Sequence, residues 1–138
     1  MTAEEFRELR ERLARGWSEQ DTELALSCFA EDAVYMEPPD VQLYVGHEQL
    51  RPYFAALEPG TYMRFHVLVF DETAQIGAGE YAFGDADSEI ADHGVAVVEV
   101  EDGRIGHWRE YQRKGPASFA DFLAVDGKTW QWHIGNYP

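Results

Sequence analysis

A carboxylate stands at the end of an apolar stretch, directly before two prolines. The apolar residues 34–36 lead into Glu37, and Pro38 and Pro39 follow it. A carboxyl group beside apolar side chains is partly removed from water, which raises its pKa towards that of a useful general base. The alternative is an ordinary solvated acid on a loop. The sequence leaves both interpretations of Glu37 open.

A second acid lies on the last strand that the pattern predicts, residues 104–114. A tight Asp-Gly hairpin turn, residues 102–103, precedes it. Side chains alternate along a strand, so the strand has two faces. One face carries Trp108, Glu110 and Gln112, and the other carries His107, Arg109 and Tyr111. A bulge in this strand would reverse the assignment.

Five histidines raise the question of a metal site. They are His47, His66, His93, His107 and His133. No two of them show the paired spacing of a zinc-binding helix, so we expect no metal. Residues 77–79, Gly-x-Gly, lack the third glycine of a dinucleotide-binding loop, and no serine-centred nucleophile motif is present. We therefore expect no cofactor.

The composition favours one acidic domain over residues 1–138. Asp and Glu outnumber Lys and Arg by 26 to 11, and the net charge is −15. This charge argues against nucleic acids and anionic membranes as partners, because both are negative themselves. No apolar run has the length of a membrane span, and the N-terminus lacks a secretion signal. With Cys28 as the single cysteine, the chain fits a reducing compartment, and we expect a cytoplasmic protein.

Helical patterns dominate the first part of the chain. Thr2 and Glu5 form a capping box before a first helix, which Gly16 is expected to end. Two further helices are predicted, one capped within residues 18–21 and one beginning near Gly46.

The second part of the chain changes to the period of strands. Strands are predicted over residues 62–70, 75–83, 93–101 and 104–114, with a bulge or bend suggested by Gly77 and Gly79. A break at Gly115-Pro116, a short helix through Leu123 and an aromatic tail follow. Helices followed by a meander of strands indicate an α+β fold.

Several short motifs share an order and a spacing that are specific in combination. They are Asp21, residues 29–33 (FAEDA), Glu37-Pro38, Gly46-His47-Glu48, Tyr53-Phe54, the hairpin 101–105 (EDGRI) and Tyr111. In these motifs the chain resembles the superfamily of nuclear transport factor 2, the SnoaL-like polyketide cyclases and ketosteroid isomerase. The resemblance covers about residues 3–114 and leaves 115–138 as a C-terminal extension.

The resemblance implies a cone-shaped, curved and mostly antiparallel sheet wrapped around N-terminal helices, as in the cystatin-like α+β roll. The cone would have a pocket at its open end, and the extension would add a C-terminal helix and the aromatic tail. Members of the superfamily include isomerases, cyclases, dehydratases, epoxide hydrolases, ligand carriers and interaction domains. The fold alone therefore does not select a function.

The resemblance to ketosteroid isomerase implies a role for Glu37 and argues against steroid isomerisation as the activity. Glu37 matches its proton-shuttling base, the carboxylate before proline. By the same register, Leu13 and Val95 stand where the isomerase has the two donors of its oxyanion hole. Neither side chain can donate a hydrogen bond to an enolate, so the resemblance argues against steroid isomerisation itself.

The SnoaL-like cyclases imply a site on the late strands. The resemblance turns Glu110 towards the cavity, together with His93 and Val95 on the neighbouring strand. Glu110 and His93 would then form an acid/base pair. The alternative is a buried hydrogen-bonded pair that only shapes the pocket.

These inferences predict a pocket protein that performs cofactor-independent acid/base chemistry, such as cyclisation, isomerisation or dehydration, on a small, mostly apolar organic molecule. Glu110 and Glu37 are the candidate bases, and His93 is the partner acid. The candidate substrate-binding residues are Trp108, Gln112, Tyr35, Phe54, Tyr62, Val95 and Trp17. The alternative is a non-catalytic ligand-binding or protein-interaction domain of the same fold.

A homodimer is the expected assembly. The strand 62–70 carries apolar residues on both faces, for example Phe65 and Leu68, and a second apolar face needs a cover. The resembling families also commonly pair through the outer face of the sheet. We further expect the tail around Trp130 and Trp132 to pack on the domain, because it is too apolar to remain solvated.

Overall fold

The structure is a computed structural model that describes residues 1–37, 42–85 and 90–118. Its elements are α1 (Ala3–Ser18), α2 (Thr22–Ser27), β1 (Phe29–Glu37), β2 (Gln42–Val45), α3 (Gly46–Ala55), β3 (Thr61–Asp71), β4 (Ile76–Asp85), β5 (Ile90–Glu101) and β6 (Arg104–Ser118). The remainder of the predicted C-terminal helix and the aromatic tail, residues 119–138, lie outside the described residues.

One curved, open sheet of six strands carries the fold. The strand order is β2-β1-β6-β5-β4-β3, and every neighbouring pair is antiparallel except β1 and β6. The helices of the first half pack against this sheet, α1 on β3 and α3 on β1. The predicted α+β class and the curved, mostly antiparallel sheet are confirmed.

Helix α1 begins where its capping box predicts. Thr2 accepts a hydrogen bond from the backbone of Glu5, and the Glu5 carboxylate accepts one from the backbone of Thr2. Its apolar face enters the core, with Phe6, Leu9, Leu13 and Trp17 all buried. The capping box therefore sets the start of the helix, and the amphipathic pattern sets the face that it buries.

The sequence suggested that Gly16 ends α1. This prediction is wrong, because the helix continues to Ser18. The glycine serves the contact with α2 instead. A Cβ atom at Gly16 would stand only 2.7 Å from the backbone nitrogen of Ala25. The missing side chain thus allows the two helices to approach closely.

The strands depart from the sequence prediction at several places. The bulge lies in β3 between Phe65 and Val67, whereas β4 pairs with β5 without interruption from Ile76 to Phe83. The glycines of β4 make room for the core instead, since a Cβ at Gly77 would meet the Phe6 ring at 2.5 Å.

Strand β6 does not break at Gly115-Pro116 but pairs with β5 as far as Ser118. Its described pairing with β1 ends at Arg109. A proline lacks an N–H donor and is tolerated where one side of a strand needs no donor. The predicted break and the helix start at residues 117–118 are therefore wrong.

The two faces of the sheet differ in exposure. On the inner face of β5, Ala96, Val98 and Val100 are buried, whereas Val69 and Tyr111 on the outer face are 58% and 56% exposed. No helix in the described ranges combines the length and the apolar character that crossing a bilayer requires.

Candidate active site

A cavity of about 50 Å³ lies between the helices and the inner face of the sheet. Its aromatic lining consists of Trp17, Tyr35, Tyr53, Phe54 and Phe83, and its polar lining consists of Glu37, Glu110 and Gln112. The described lining contains no Lys, Arg or His side chain. Pockets for drug-sized ligands measure roughly 300–1,000 Å³. The space therefore suits a small molecule, or one group of a larger molecule.

Glu110 is the buried acid of this cavity, with 4% of its surface exposed. Three donors from three strands hold its carboxylate. The Tyr35 hydroxyl donates to it at 2.9 Å, the Trp108 indole N–H at 2.8 Å, and the Tyr81 hydroxyl also donates. Such a network fixes the carboxylate in one orientation.

Opposing effects act on the pKa of Glu110. Burial raises its pKa above the ordinary glutamate value, and the negative charge of Glu37 acts in the same direction. The hydrogen bonds from Tyr81, Trp108 and Tyr35 oppose this, because they stabilise the ionised form. Glu110 thus keeps its proton to a higher pH than an exposed glutamate does, as suits a group that exchanges protons.

Glu37 supplies a second carboxylate to the same cavity. It is the last residue of β1 and is half-buried. The Tyr53 hydroxyl and the Gln112 side-chain amide each donate to one of its oxygens. Glu37 is therefore a lining residue that hydrogen bonds hold in place, and not a fully solvated acid on a loop.

A buried arginine lies behind the cavity. The guanidinium of Arg10 is fully buried and stacks between the rings of Phe65 and Trp108, 4.3 Å from each centroid. Its three nitrogens have no hydrogen-bond partner among the described residues. Burial lowers its pKa to about 9, and the charge of Glu110 opposes this change. The interior thus holds a positive charge opposite the acid, with the Trp108 ring contacting both.

The structure brings six of the predicted site residues together around the cavity. They are Glu37, Glu110, Gln112, Tyr35, Phe54 and Trp17. Trp108 was expected in the wall, but it is fully buried and contacts Glu110 from beneath. Tyr62 lines a separate groove beside Arg64 and His66.

The predicted pair of Glu110 and His93 does not form. A Cβ at Gly94 would collide with the Tyr81 hydroxyl, so Gly94 faces the core and the neighbouring His93 and Val95 face the outside of the sheet. Val95 is 39% exposed, and it does not line the cavity.

His93 itself is buried on that outer face. It lies close enough to His66 to contribute to the lowered pKa of that residue, after burial and the charge of Arg64. The hydrogen-bond donors to Glu110 are consequently two tyrosine hydroxyls and an indole N–H, not an imidazole.

Sequence reasoning missed two groups of residues: Tyr53, Tyr81 and Arg10, and the lining residues Leu57, Met63 and Phe83. Tyr81 was predictable in part, because alternation places it on the same face of β4 as Gly77. Arg10 stands four residues after Phe6, and therefore on the buried face of α1. In the described parts of the chain, no group of three or more His, Cys, Asp and Glu residues could hold a metal ion.

Comparison with known proteins connects this geometry to a family. The SnoaL-like domain family matches residues 10–108. No curated protein matches the chain. A protein of unknown function with a cystatin-like fold from Methylobium petroleophilum PM1 superposes with a TM-score of 0.72 at 19% identity, over 100% of this chain and 98% of that one.

Two further structures share the fold. An M. tuberculosis LEH-like epoxide hydrolase superposes with a TM-score of 0.66 at 19% identity, over 80% of this chain and 84% of that one. A protein with a ketosteroid isomerase-like fold from Catenulispora acidiphila DSM 44928, in complex with trimethylamine, gives 0.66 at 16% identity, over 85% and 90%. With the family match spanning most of its length, this chain belongs to the SnoaL-like domain family.

Proposed function

We propose that the protein performs cofactor-independent acid/base chemistry on a small organic molecule bound in the cavity. The observation that carries this proposal is the convergence of two carboxylates, Glu110 and Glu37, on one aromatic cavity. One acid is buried with a raised pKa, and the other is held at the end of β1. Two acids in different environments are a common arrangement for moving a proton in one direction.

Two tyrosines connect the acids. Tyr35 donates to Glu110, Tyr53 donates to Glu37, and the centroids of the two tyrosine rings are 5.6 Å apart. Removal of a proton from a substrate by one carboxylate and its return by the other would give isomerisation. If the second carboxyl group instead protonates the departing oxygen, the same proton removal would give dehydration, or opening of a ring that contains that oxygen. All three need only the acids and the walls of the cavity.

Two solved structures of the same fold are consistent with a small organic ligand. One is described as an epoxide hydrolase, and another is in complex with trimethylamine. Their identity to this chain lies below 20%, so the residues of this cavity carry the argument.

A second candidate function is ligand binding without turnover. Trp108 is fully buried beside Glu110, and the free volume of the cavity is only about 50 Å³. Such a cavity would hold a ligand firmly while leaving little room for a reaction path.

Exchange of α-protons for deuterium in small ketones distinguishes the two candidates, because it measures proton abstraction without a known substrate. Acetone and cyclopentanone in D₂O, followed by NMR, are the probes. The wild type is expected to accelerate exchange, and Glu110→Gln to reduce that acceleration by about 10²- to 10⁴-fold, the usual contribution of one acid/base group.

Glu101→Gln is the matched control, because Glu101 is exposed and outside the cavity. It should leave the exchange rate unchanged. Equal rates for the wild type and Glu110→Gln would refute the assigned base. Binding of the ketones without acceleration would refute the proposed chemistry in favour of the binding function.

We also propose that two copies pair through the outer face of the sheet. Val67, Val69 and Tyr111 expose more than half of their surface there. Covering such a face stabilises an assembly because it removes apolar surface from water. Light scattering at micromolar concentration should give twice the mass of the chain, and Val69→Lys should shift it towards one copy. A monomeric wild type would contradict this assembly.

A further inference from the structure

We propose that the cavity is selective for a small alkylated ammonium group, so that the molecule on which the protein acts carries a positive charge. This inference rests on the proposed function for its biological meaning, but its test measures binding alone. It changes the expected ligand from an apolar molecule to an organic cation.

The charges of the lining point to a cation. Glu37 and Glu110 both face the space, and no basic side chain among the described residues lines it. The net charge of −15 adds a long-range field of the same sign. A cation inside would be attracted by Glu37, and by Glu110 once it has lost its proton, and an anion would be repelled.

The positive charge of Arg10 does not reverse this balance. Its guanidinium stacks on Trp108 and does not line the cavity. Trp108 in turn donates to Glu110 from below. Arg10 therefore offsets part of the charge of Glu110. The negative charge of Glu37 is not offset by a positive charge on any described lining residue.

The aromatic lining distinguishes an organic cation from an inorganic one. Trp17, Tyr35, Tyr53, Phe54 and Phe83 offer ring surface. Rings attract ammonium groups through their electron-rich faces, by about 0.5–2 kcal/mol for each good contact, and they also cover attached methyl groups. Calcium and magnesium ions instead need six or more oxygen ligands, whereas this lining is mostly carbon.

The volume sets the size of the group. A cavity of about 50 Å³ accommodates only a few heavy atoms, as in a methylated ammonium head. A longer substituent would have to leave through the opening of the cavity. The two acids, the five rings and the small volume therefore specify the charge, the apolar surface and the size of the ligand.

Binding of such a cation should be linked to release of a proton. The pKa of Glu110 is raised by burial and by Glu37, and a cation nearby would lower it. The other charged or titratable groups around Glu110 are Arg10 from α1, Tyr53 from α3, Tyr35 from β1 and Tyr81 from β4. The tyrosine pKa values are all raised, so these hydroxyls stay neutral and the carboxyl groups are the ones that respond.

Choline and 3,3-dimethyl-1-butanol provide the test, since they have the same shape and differ only in charge. Isothermal titration calorimetry on the full chain should show choline binding at least tenfold more tightly than the alcohol. Pivalate, an anion of similar shape, should not bind. Choline binding should also tighten as the pH rises, because the ionised form of Glu110 attracts the cation.

Variants locate the selectivity. Glu37→Gln should reduce the preference for choline over the alcohol several-fold. Phe54→Leu should weaken the binding of choline more than the binding of the alcohol. Glu101→Gln, outside the cavity, should change neither. Equal affinity for choline and the alcohol, or tighter binding of the alcohol, would overturn the inference, and so would choline binding that Glu37→Gln leaves intact.

The outcome also separates this inference from the proposed chemistry. Ketone exchange that depends on Glu110, without selectivity for choline, would leave the chemistry and refute the cation site. Selective binding of choline, together with ketones that bind without exchanging their α-protons, would support the cation site and refute the chemistry.

Discussion

Replacing Trp108 by alanine is expected to lower the free energy of unfolding by about 3–5 kcal/mol, the usual cost of removing a large buried aromatic side chain. Trp108 is fully buried, stacks on Tyr35 with ring centroids 5.5 Å apart and contacts Trp17 edge-on at 5.7 Å. The substitution would also remove the hydrogen bond to Glu110 and one of the rings that enclose Arg10. Chemical denaturation followed by circular dichroism measures the change.

Trp108→Phe is the control that separates packing from the hydrogen bond. Phenylalanine keeps most of the ring surface but cannot donate to Glu110. We expect an intermediate loss, because a buried acceptor that loses a donor costs about 1–3 kcal/mol. A loss below about 1 kcal/mol for the alanine variant would mean that Trp108 does not support the core as the structure indicates.

The second large effect is a change in how stability depends on pH. Glu110 has a folded-state pKa raised above the unfolded value of about 4.3. Its contribution to stability is therefore fully present below pH 4.3, and it is lost as the pH rises through the folded-state pKa. Glu110→Gln removes this dependence, since glutamine does not titrate.

The expected result is a gain of the variant relative to the wild type as the pH increases from 4 to 8. The gain amounts to about 1.4 kcal/mol for each unit by which the folded-state pKa exceeds the unfolded one. Altered hydrogen bonds in the variant would shift its free energy of unfolding by the same amount at every pH. They would not affect how the difference from the wild type changes with pH. Unfolding experiments at four or five pH values measure it, with Glu101→Gln as the exposed control. A difference that is flat across this range would contradict the raised pKa.

The parts of the fold that depend on local patterns were predictable. The capping box of Thr2 and Glu5 determines the start of α1, and alternation along β6 places Glu110 and Gln112 on the inner face. Both rules involve residues close in sequence, and both act through short-range geometry.

The error at His93 has a physical cause in the hairpin. An ideal hairpin at residues 102–103 would align the strands without interruption, but Val100 pairs with Ile105 and Glu99 pairs with His107. Gly106 is the extra residue, and it reverses which side chains of β5 share a face with Glu110. A glycine inside a predicted strand was the available signal.

Arg10 was missed for a different reason. Helical spacing alone places it on the buried face of α1, but a charged residue is normally assigned to solvent. Only the assembled structure shows that Phe65 and Trp108, from two distant strands, enclose its guanidinium. Enclosure by residues far apart in sequence is a property that no local pattern carries.

The position of β6 in the sheet determines when the domain can fold during synthesis. This strand leaves the ribosome last among the described strands, yet it lies between β1 and β5. A nascent chain without it has two unpaired strand edges, and Arg10 then faces no Glu110. Because pairings of such long sequence separation form slowly, the earlier elements stay incompletely assembled until β6 arrives. A nascent chain therefore exposes the edges of β1 and β5 until β6 has been synthesised.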